Sequence, residues 1–205
     1  KNVPAILDVW FGGSETGDAV ADVLFGDVNP SGKITASFPR NVGQIPIYHS
    51  IRNTGRPLPE GEEYSKYTTS YLDSRIDPLY PFGYGLSYTT YEYGSVKLSK
   101  EEVGAGESLV AEVEVTNTGK TAGKEVVQMY IRDVVGTTTR PLRELKGFER
   151  VFLKSGETAE IEFVITPEDM AFCREDMTFA LEEGDFTVWV GDSSEATLEA
   201  GFKVL

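Results

Sequence analysis

Two side chains able to start nucleophilic or metal chemistry occur once each in the chain, Cys173 and His49. A single cysteine permits no intramolecular disulfide and no thiolate zinc site built from this chain, and a single histidine rules out a His-rich metal site, so no metal and no other cofactor is implied. His49 is the one imidazole that can activate a Ser or Cys nucleophile, yet Tyr48-His49-Ser50 follows a proline and reads as a surface loop. Carboxylates are the abundant reactive group. Among them Glu15 stands out, because Gly13-Ser14-Glu15-Thr16-Gly17 follows an apolar run at the end of a strand, where open α/β sheets place their ligands. Its alternative role there is structural, capping orphan N–H groups and complementing a helix dipole. The stretch Pro78 to Tyr88 concentrates Tyr80, Phe82, Tyr84 and Tyr88 between two prolines and two glycines. It reads as a buried aromatic turn joining two parts of the chain, with a sugar or peptide platform as the alternative.

The elements that must position these groups change character at that turn. Val3 to Phe11 is nearly continuous apolar sequence apart from Asp8, a pattern that predicts a strand buried on both faces. A glycine loop follows, and Asp18 to Gly26 carries apolar residues at helical spacing with acids near its start and a glycine stop. Strand, loop and helix make one βα unit, which cannot bury both faces alone and calls for neighbouring strands upstream or in a partner. The β-sandwich or a second copy of the chain, as in a homodimer, is expected to cover its apolar surface otherwise. Lys33 to Phe38 alternates as a short strand ended by Pro39, and from Arg40 to about Asp77 the periodicity dissolves into a long loop rich in Gly, Pro, Arg and Tyr.

Beyond the turn, regularly spaced strands are expected at 95–98, 109–116, 125–133, 142–153, 158–165, 178–180, 185–190 and 197–202, with one helical turn over Pro167 to Phe172. Alternation in Leu109 to Val115 and in Ile161 to Ile165 gives one wet face and one buried face. About seven short strands in roughly 110 residues predict an immunoglobulin-like β-sandwich. Trp189, inside an alternating strand, belongs to its core rather than to a ligand platform, and Arg140, Arg143 and Lys146 read as a solvated hairpin face able to dock further domains.

The 205 residues carry 33 acids against 19 Lys and Arg, a formal net charge of −14. Such a surface repels phosphate backbones and anionic membranes, which argues against nucleic acid and membrane partners. No run reaches the apolar length of a membrane span, and the first residues lack the features of a signal peptide.

Several motifs in one order resemble the C-terminal portion of family 3 glycoside hydrolases, of the periplasmic β-glucosidase type. They are Ala5 to Trp10, Gly13 to Gly17, Ala21 to Lys33, Ser37-Phe38-Pro39, Val42 to Pro46, Asn53 to Pro57, Tyr71-Leu72-Asp73, Pro78 to Tyr88, Val115 to Gly119, Val127 to Tyr130, Arg140-Pro141 and Leu145 to Phe148. The resemblance implies a mainly β fold: residues 1–45 as the C-terminal remnant of an α/β sandwich domain, 46–90 as an extended linker with an aromatic hinge, and 91–205 as a fibronectin type III-like β-sandwich. It also implies a periplasmic or secreted parent enzyme that removes terminal β-D-glucosyl residues with retention. Such chemistry uses two carboxylates about 5 Å apart. In the family the nucleophilic Asp lies on an N-terminal barrel and the acid/base Glu in the α/β domain, both ahead of the segment matching Val3. No catalytic residue therefore carries over, and the chain alone is expected to be inactive. Its partners are then a β-linked glucoside or oligosaccharide in the parent enzyme, and the barrel and α/β domains.

For substrate contact at a pocket rim the candidates are Glu15, Arg56, Tyr67, Tyr71 and Asp73. Tyrosine faces pack on sugar C–H surfaces and Arg and Asp pair with hydroxyls, although salt-bridged anchoring of a loop uses the same residue types. An autonomous carbohydrate- or protein-binding module is the alternative from another class. A free-standing hydrolase using Glu15 is the third reading. The binding module requires a self-contained fold, which a βα unit with no sheet to join does not provide, and the free-standing hydrolase requires a pocket that one βα unit and one β-sandwich hardly build.

Overall fold

The computed structural model describes residues 3–59, 62 and 64–205. Its regular structure comprises α1 (Thr16–Phe25), a 3-10 turn (Val42–Gln44), β1 (Tyr91–Tyr93), β2 (Lys97–Leu98), β3 (Glu102–Val103), β4 (Leu109–Asn117), β5 (Gly123–Asp133), β6 (Glu144–Leu153), β7 (Thr158–Ile165), α2 (Pro167–Met170), β8 (Phe172–Cys173), β9 (Phe179–Ala180), β10 (Gly184–Gly191) and β11 (Leu198–Val204). Two sheets face each other. In one, β4 pairs with β7 along one edge, while β1 and β2 share its other edge; in the second the order is β3-β11-β10-β5-β6. All pairings are antiparallel except β11 with β3, and β8 and β9 form a separate hairpin.

The period-2 pattern of the strands builds the core. Leu109, Ala111, Val113 and Val115 of β4 and Ile161, Phe163 and Ile165 of β7 meet Val127, Met129 and Ile131 of β5 and Phe186, Val188 and Val190 of β10. α2 closes one end. Thr166 and Asp169 form a reciprocal capping box, with Pro167 in the first turn, and Met170 is driven into the core. Asn117, at the end of β4, is fully buried; its amide donates to the carbonyls of Thr121 and Leu153 and its carbonyl accepts from Thr89 Oγ1 and the Gly119 N–H.

β5 departs from simple alternation, since Gln128 and Tyr130 are buried on the face turned away from the core. The aromatic turn is the reason. Phe82 packs with Leu145 against Tyr130, Trp189 and Ala196, and Gln128 donates to the carbonyls of Gly83 (3.1 Å) and Asp192 (2.6 Å) while accepting from Tyr130 Oη (2.6 Å). Tyr80 stacks on Tyr84 at 5.2 Å, with Phe38 edge-on to Tyr80. The turn is thus clamped on one side; Leu86 and Tyr88 stay exposed on the other.

Four expectations are corrected. Val3 to Phe11 is not a strand, because no strand among the described residues supplies its ladder partners and Trp10 takes a left-handed conformation (φ 43°), and Lys33 to Phe38 pairs only locally with the turn, through a bridge between Phe38 and Tyr80. α1 buries no residue; Ile6 is 71% and Phe25 86% exposed, with Trp10, Phe11 and Leu24 also open, so the sandwich does not cover this apolar surface. The basic cluster is not a solvated face. Arg143 lies over the Trp189 ring at 4.4 Å and donates to the carbonyls of Ser194 and Ala196, and Arg140 lies over Phe172 at 4.3 Å while pairing with Glu144 and Asp133.

Candidate functional site

A cleft of about 1010 Å³ opens between the long loop and the edge of the sandwich. Its construction begins at Gln44, which the 3-10 turn drives into the interior with 1% of its surface exposed. The Gln44 carbonyl accepts from the Arg40 N–H, and its amide donates to the carbonyls of Arg75 (2.8 Å) and Asp77 (3.1 Å). One buried amide therefore joins the two ends of the loop. Asp77 is gripped by Arg40 and by Arg75 Nε at 2.7 Å. Burial opposes its charge, but the hydrogen bonds and charges of the two guanidinium groups outweigh it and hold the carboxyl below the usual range.

The middle of the loop is tied down twice. The Leu142 N–H donates to Ile51 O at 2.8 Å and Arg52 bridges to Pro141, fixing the loop to the sandwich; the Thr69 N–H donates to Arg56 O at 2.8 Å, fixing its two halves to each other. His49 is not the free surface imidazole that its sequence context suggests. It stacks on Phe82 at 4.1 Å, and burial lowers its pKa although Glu144 opposes the shift. The cleft is walled by Ile47, Ile51, Leu58, Ile76 and Leu142, with Arg75, Asp77, Arg143 and Glu195 bringing charge to it.

Of the five predicted rim residues, Tyr71 alone lines this cleft. Arg56 contributes a backbone carbonyl to the loop while its side chain is exposed. Tyr67 is exposed in a left-handed conformation (φ 68°) with Lys66 Nζ 4.9 Å from its ring centre, and Asp73 is exposed on the same loop. Glu15 precedes α1 with its side chain exposed, far from the loop in sequence, and makes no side-chain capping bond; only its carbonyl accepts from the Ala19 N–H. The structure therefore does not gather the five into one lining. Sequence reasoning missed Gln44, Arg40, Arg75, Asp77 and Glu195. Gln44 falls within the stretch Val42 to Pro46, but nothing in its neighbours signals that a glutamine is buried.

A retaining hydrolase needs two carboxylates flanking one bond. Of the cleft carboxylates Glu62, Asp77 and Glu195, Asp77 is committed to two arginines. No group of three or more His, Cys, Asp or Glu able to hold a metal occurs among the described residues.

Residues 1–88 match the model of the glycosyl hydrolase family 3 C-terminal domain, and residues 125–194 match that of the fibronectin type III-like domain. The chain belongs to glycoside hydrolase family 3, of which it carries the C-terminal portion and the fibronectin type III-like β-sandwich. It is 49% identical over 205 residues to a periplasmic β-glucosidase of Salmonella typhimurium, covering 100% of this chain and 27% of that protein. A β-xylosidase of Formosa agariphila is 46% identical over 196 residues, 96% of this chain and 26% of that protein. Among solved structures, a β-glucosidase from Listeria innocua in complex with glucose superimposes with a TM-score of 0.91 at 42% identity, over 96% of this chain and 27% of that one. The chain thus spans about a quarter of the length of the relatives it matches.

Proposed function

We propose that this chain is the C-terminal structural part of an exo-acting β-glucosidase that hydrolyses terminal β-D-glucosyl residues with retention, and that the 205 residues alone are inactive. The observation that carries the reading is the similarity along almost the whole chain to proteins named β-glucosidase, at 42–49% identity. The open apolar surface of Ile6, Trp10, Phe11, Leu24 and Phe25 supports it, because a sheet packed there would bury what the sandwich leaves wet. The commitment of Asp77 to Arg40 and Arg75 agrees with catalytic groups supplied by other parts of the parent polypeptide.

Residues 1–45 then belong to an α/β domain, 46–90 are an extended linker laid over the sandwich, and 91–205 brace the assembly. Arg56, Tyr67, Tyr71 and Asp73 stand on the linker, and Glu15 on the loop before α1, at positions from which a sugar-binding rim can be completed by the remaining domains. A periplasmic or secreted location is supported by the name of the Salmonella relative.

The test is to follow hydrolysis of an aryl β-glucoside by the natural-length polypeptide with NMR. Release of β-glucose as the first-formed anomer supports the reading. First release of the α-anomer, or turnover of β-xylosides alone, overturns respectively the retaining mechanism and the glucosyl specificity.

A further inference from the structure

We propose that Lys33 and Glu125 form an orientation latch, a buried ion pair that admits a single seating of the helix-bearing segment on the β-sandwich. Lys33 Nζ lies 3.0 Å from Glu125 Oε1, with side-chain exposures of 10% and 5%. It also donates to Gly85 O at 3.2 Å, so one ammonium group joins the N-terminal segment, the aromatic turn and β5. Tyr93 Oη, from β1 of the opposite sheet, donates to the same carboxylate oxygen at 3.0 Å. Asn29 closes the joint from the other side. Its amide donates to Ala122 O at 3.0 Å, and its carbonyl accepts from Ser87 Oγ and the Tyr88 N–H, each at 2.8 Å.

The surfaces meet too closely for slack. A Cβ on Gly85 would stand 2.4 Å from Gly32 O, and one on Gly123 would stand 2.5 Å from Tyr91 Oη and 2.6 Å from Asn29 Nδ2. The groups facing Glu125 are Lys33 from the segment, Tyr93 and Tyr91 from β1, and Asp192 from the loop after β10. Lys33 is the cation, Asp192 adds repulsion, and burial pushes the Glu125 carboxyl above its ordinary range. An ion pair in such a place adds little net stability, because desolvation offsets the attraction, but separating the partners leaves a buried charge uncompensated. A slipped or tilted segment would strand both. The pair thus selects one geometry rather than simply adding adhesion, and it does so whichever reaction the parent polypeptide performs.

The amides of Ile34 and Gly83 report on this seating, since the Ile34 N–H donates to Tyr84 O and the Gly83 N–H to Ile34 O across the joint. The experiment compares their hydrogen exchange in the natural-length polypeptide with that in Lys33→Met, Glu125→Gln and the double variant. Each single variant is expected to speed exchange at these two amides by about tenfold or more while Val188 and Ile131 in the sandwich keep their protection. The double variant is expected to lose less than the two single effects combined. Unchanged exchange in the single variants, additive effects, or equal acceleration at Val188 and Ile131 would each overturn the latch. Glu125→Gln keeps the side-chain volume and an acceptor for Tyr93, so if Lys33→Met fails to fold, this variant decides alone: wild-type exchange at Gly83 and Ile34 overturns the proposal.

Discussion

Gly83→Ala should be among the most damaging one-carbon changes in this protein, and its cost can be worked from the structure. Gly83 has φ +80°, a left-handed conformation that costs an L-residue about 1–2 kcal/mol. A Cβ there would stand 2.0 Å from Gln128 Oε1 and 2.8 Å from its Cδ. Gln128 cannot simply swing away, because its amide holds Gly83 O and Asp192 O and its carbonyl holds Tyr130 Oη, all at a buried position. Orphaning two of those buried groups adds about 2–4 kcal/mol at 1–2 kcal/mol each, for a total near 3–6 kcal/mol. Gly156→Ala is the internal control. Gly156 has nearly the same φ, +77°, with nothing within 4 Å of its added Cβ, so only the backbone cost of about 1–2 kcal/mol applies. Urea unfolding followed by far-UV circular dichroism and Trp189 fluorescence should show midpoints lowered by about 1.5–3 M for Gly83→Ala and less than about 1 M for Gly156→Ala, taking a slope of about 2 kcal/mol/M. Equal shifts for the two variants would refute the claim that the turn is locked to β5 through Gln128.

Other consequences can be checked in the same way. Asn117→Ala removes four hydrogen bonds at a site with no exposed surface, and calorimetry should register a loss of about 2–4 kcal/mol. Leu109→Ala, in the inter-sheet core, should cost about 2–5 kcal/mol by chemical denaturation. His49 has a depressed pKa in the folded state, so the folded loop favours the neutral ring; its stabilising contribution is complete above the ordinary value of 6.5 and falls as pH drops from there through the lower folded value. Denaturation midpoints of wild type and His49→Phe should therefore diverge in slope between neutral and mildly acidic pH, the variant showing the weaker acid sensitivity. Parallel pH profiles would show that folding does not shift the His49 pKa.

The β-sandwich was legible because each long strand advertises one buried face. Thr158–Ile165 was read to its observed limits, and β4, β5 and β10 to within two residues at either end. β1, β3 and β8 were missed, being two or three residues long, too short for any alternation to register. Val3 to Phe11 was read as a strand from its apolar content, which signals burial but cannot supply hydrogen-bonding neighbours. The cleft was hardly legible. Its members come from residues 37–78, 142–143 and 194–195, assembled by Gln44 and by backbone bonds that carry no side-chain signature. Arg143 misled for a related reason: charge in a hairpin suggests solvent, whereas a guanidinium can lie flat on a tryptophan and satisfy two carbonyls.

The central claim is that these 205 residues support a β-glucosidase without holding its chemistry. Turnover of an aryl β-glucoside by the purified 205-residue chain, compared with that by the natural-length polypeptide, tests it most directly. The account predicts hydrolysis by the longer polypeptide and none above the uncatalysed rate by the 205-residue chain. Hydrolysis by the short chain, abolished by Glu15→Gln, would contradict it and place a working carboxylate in the loop before α1.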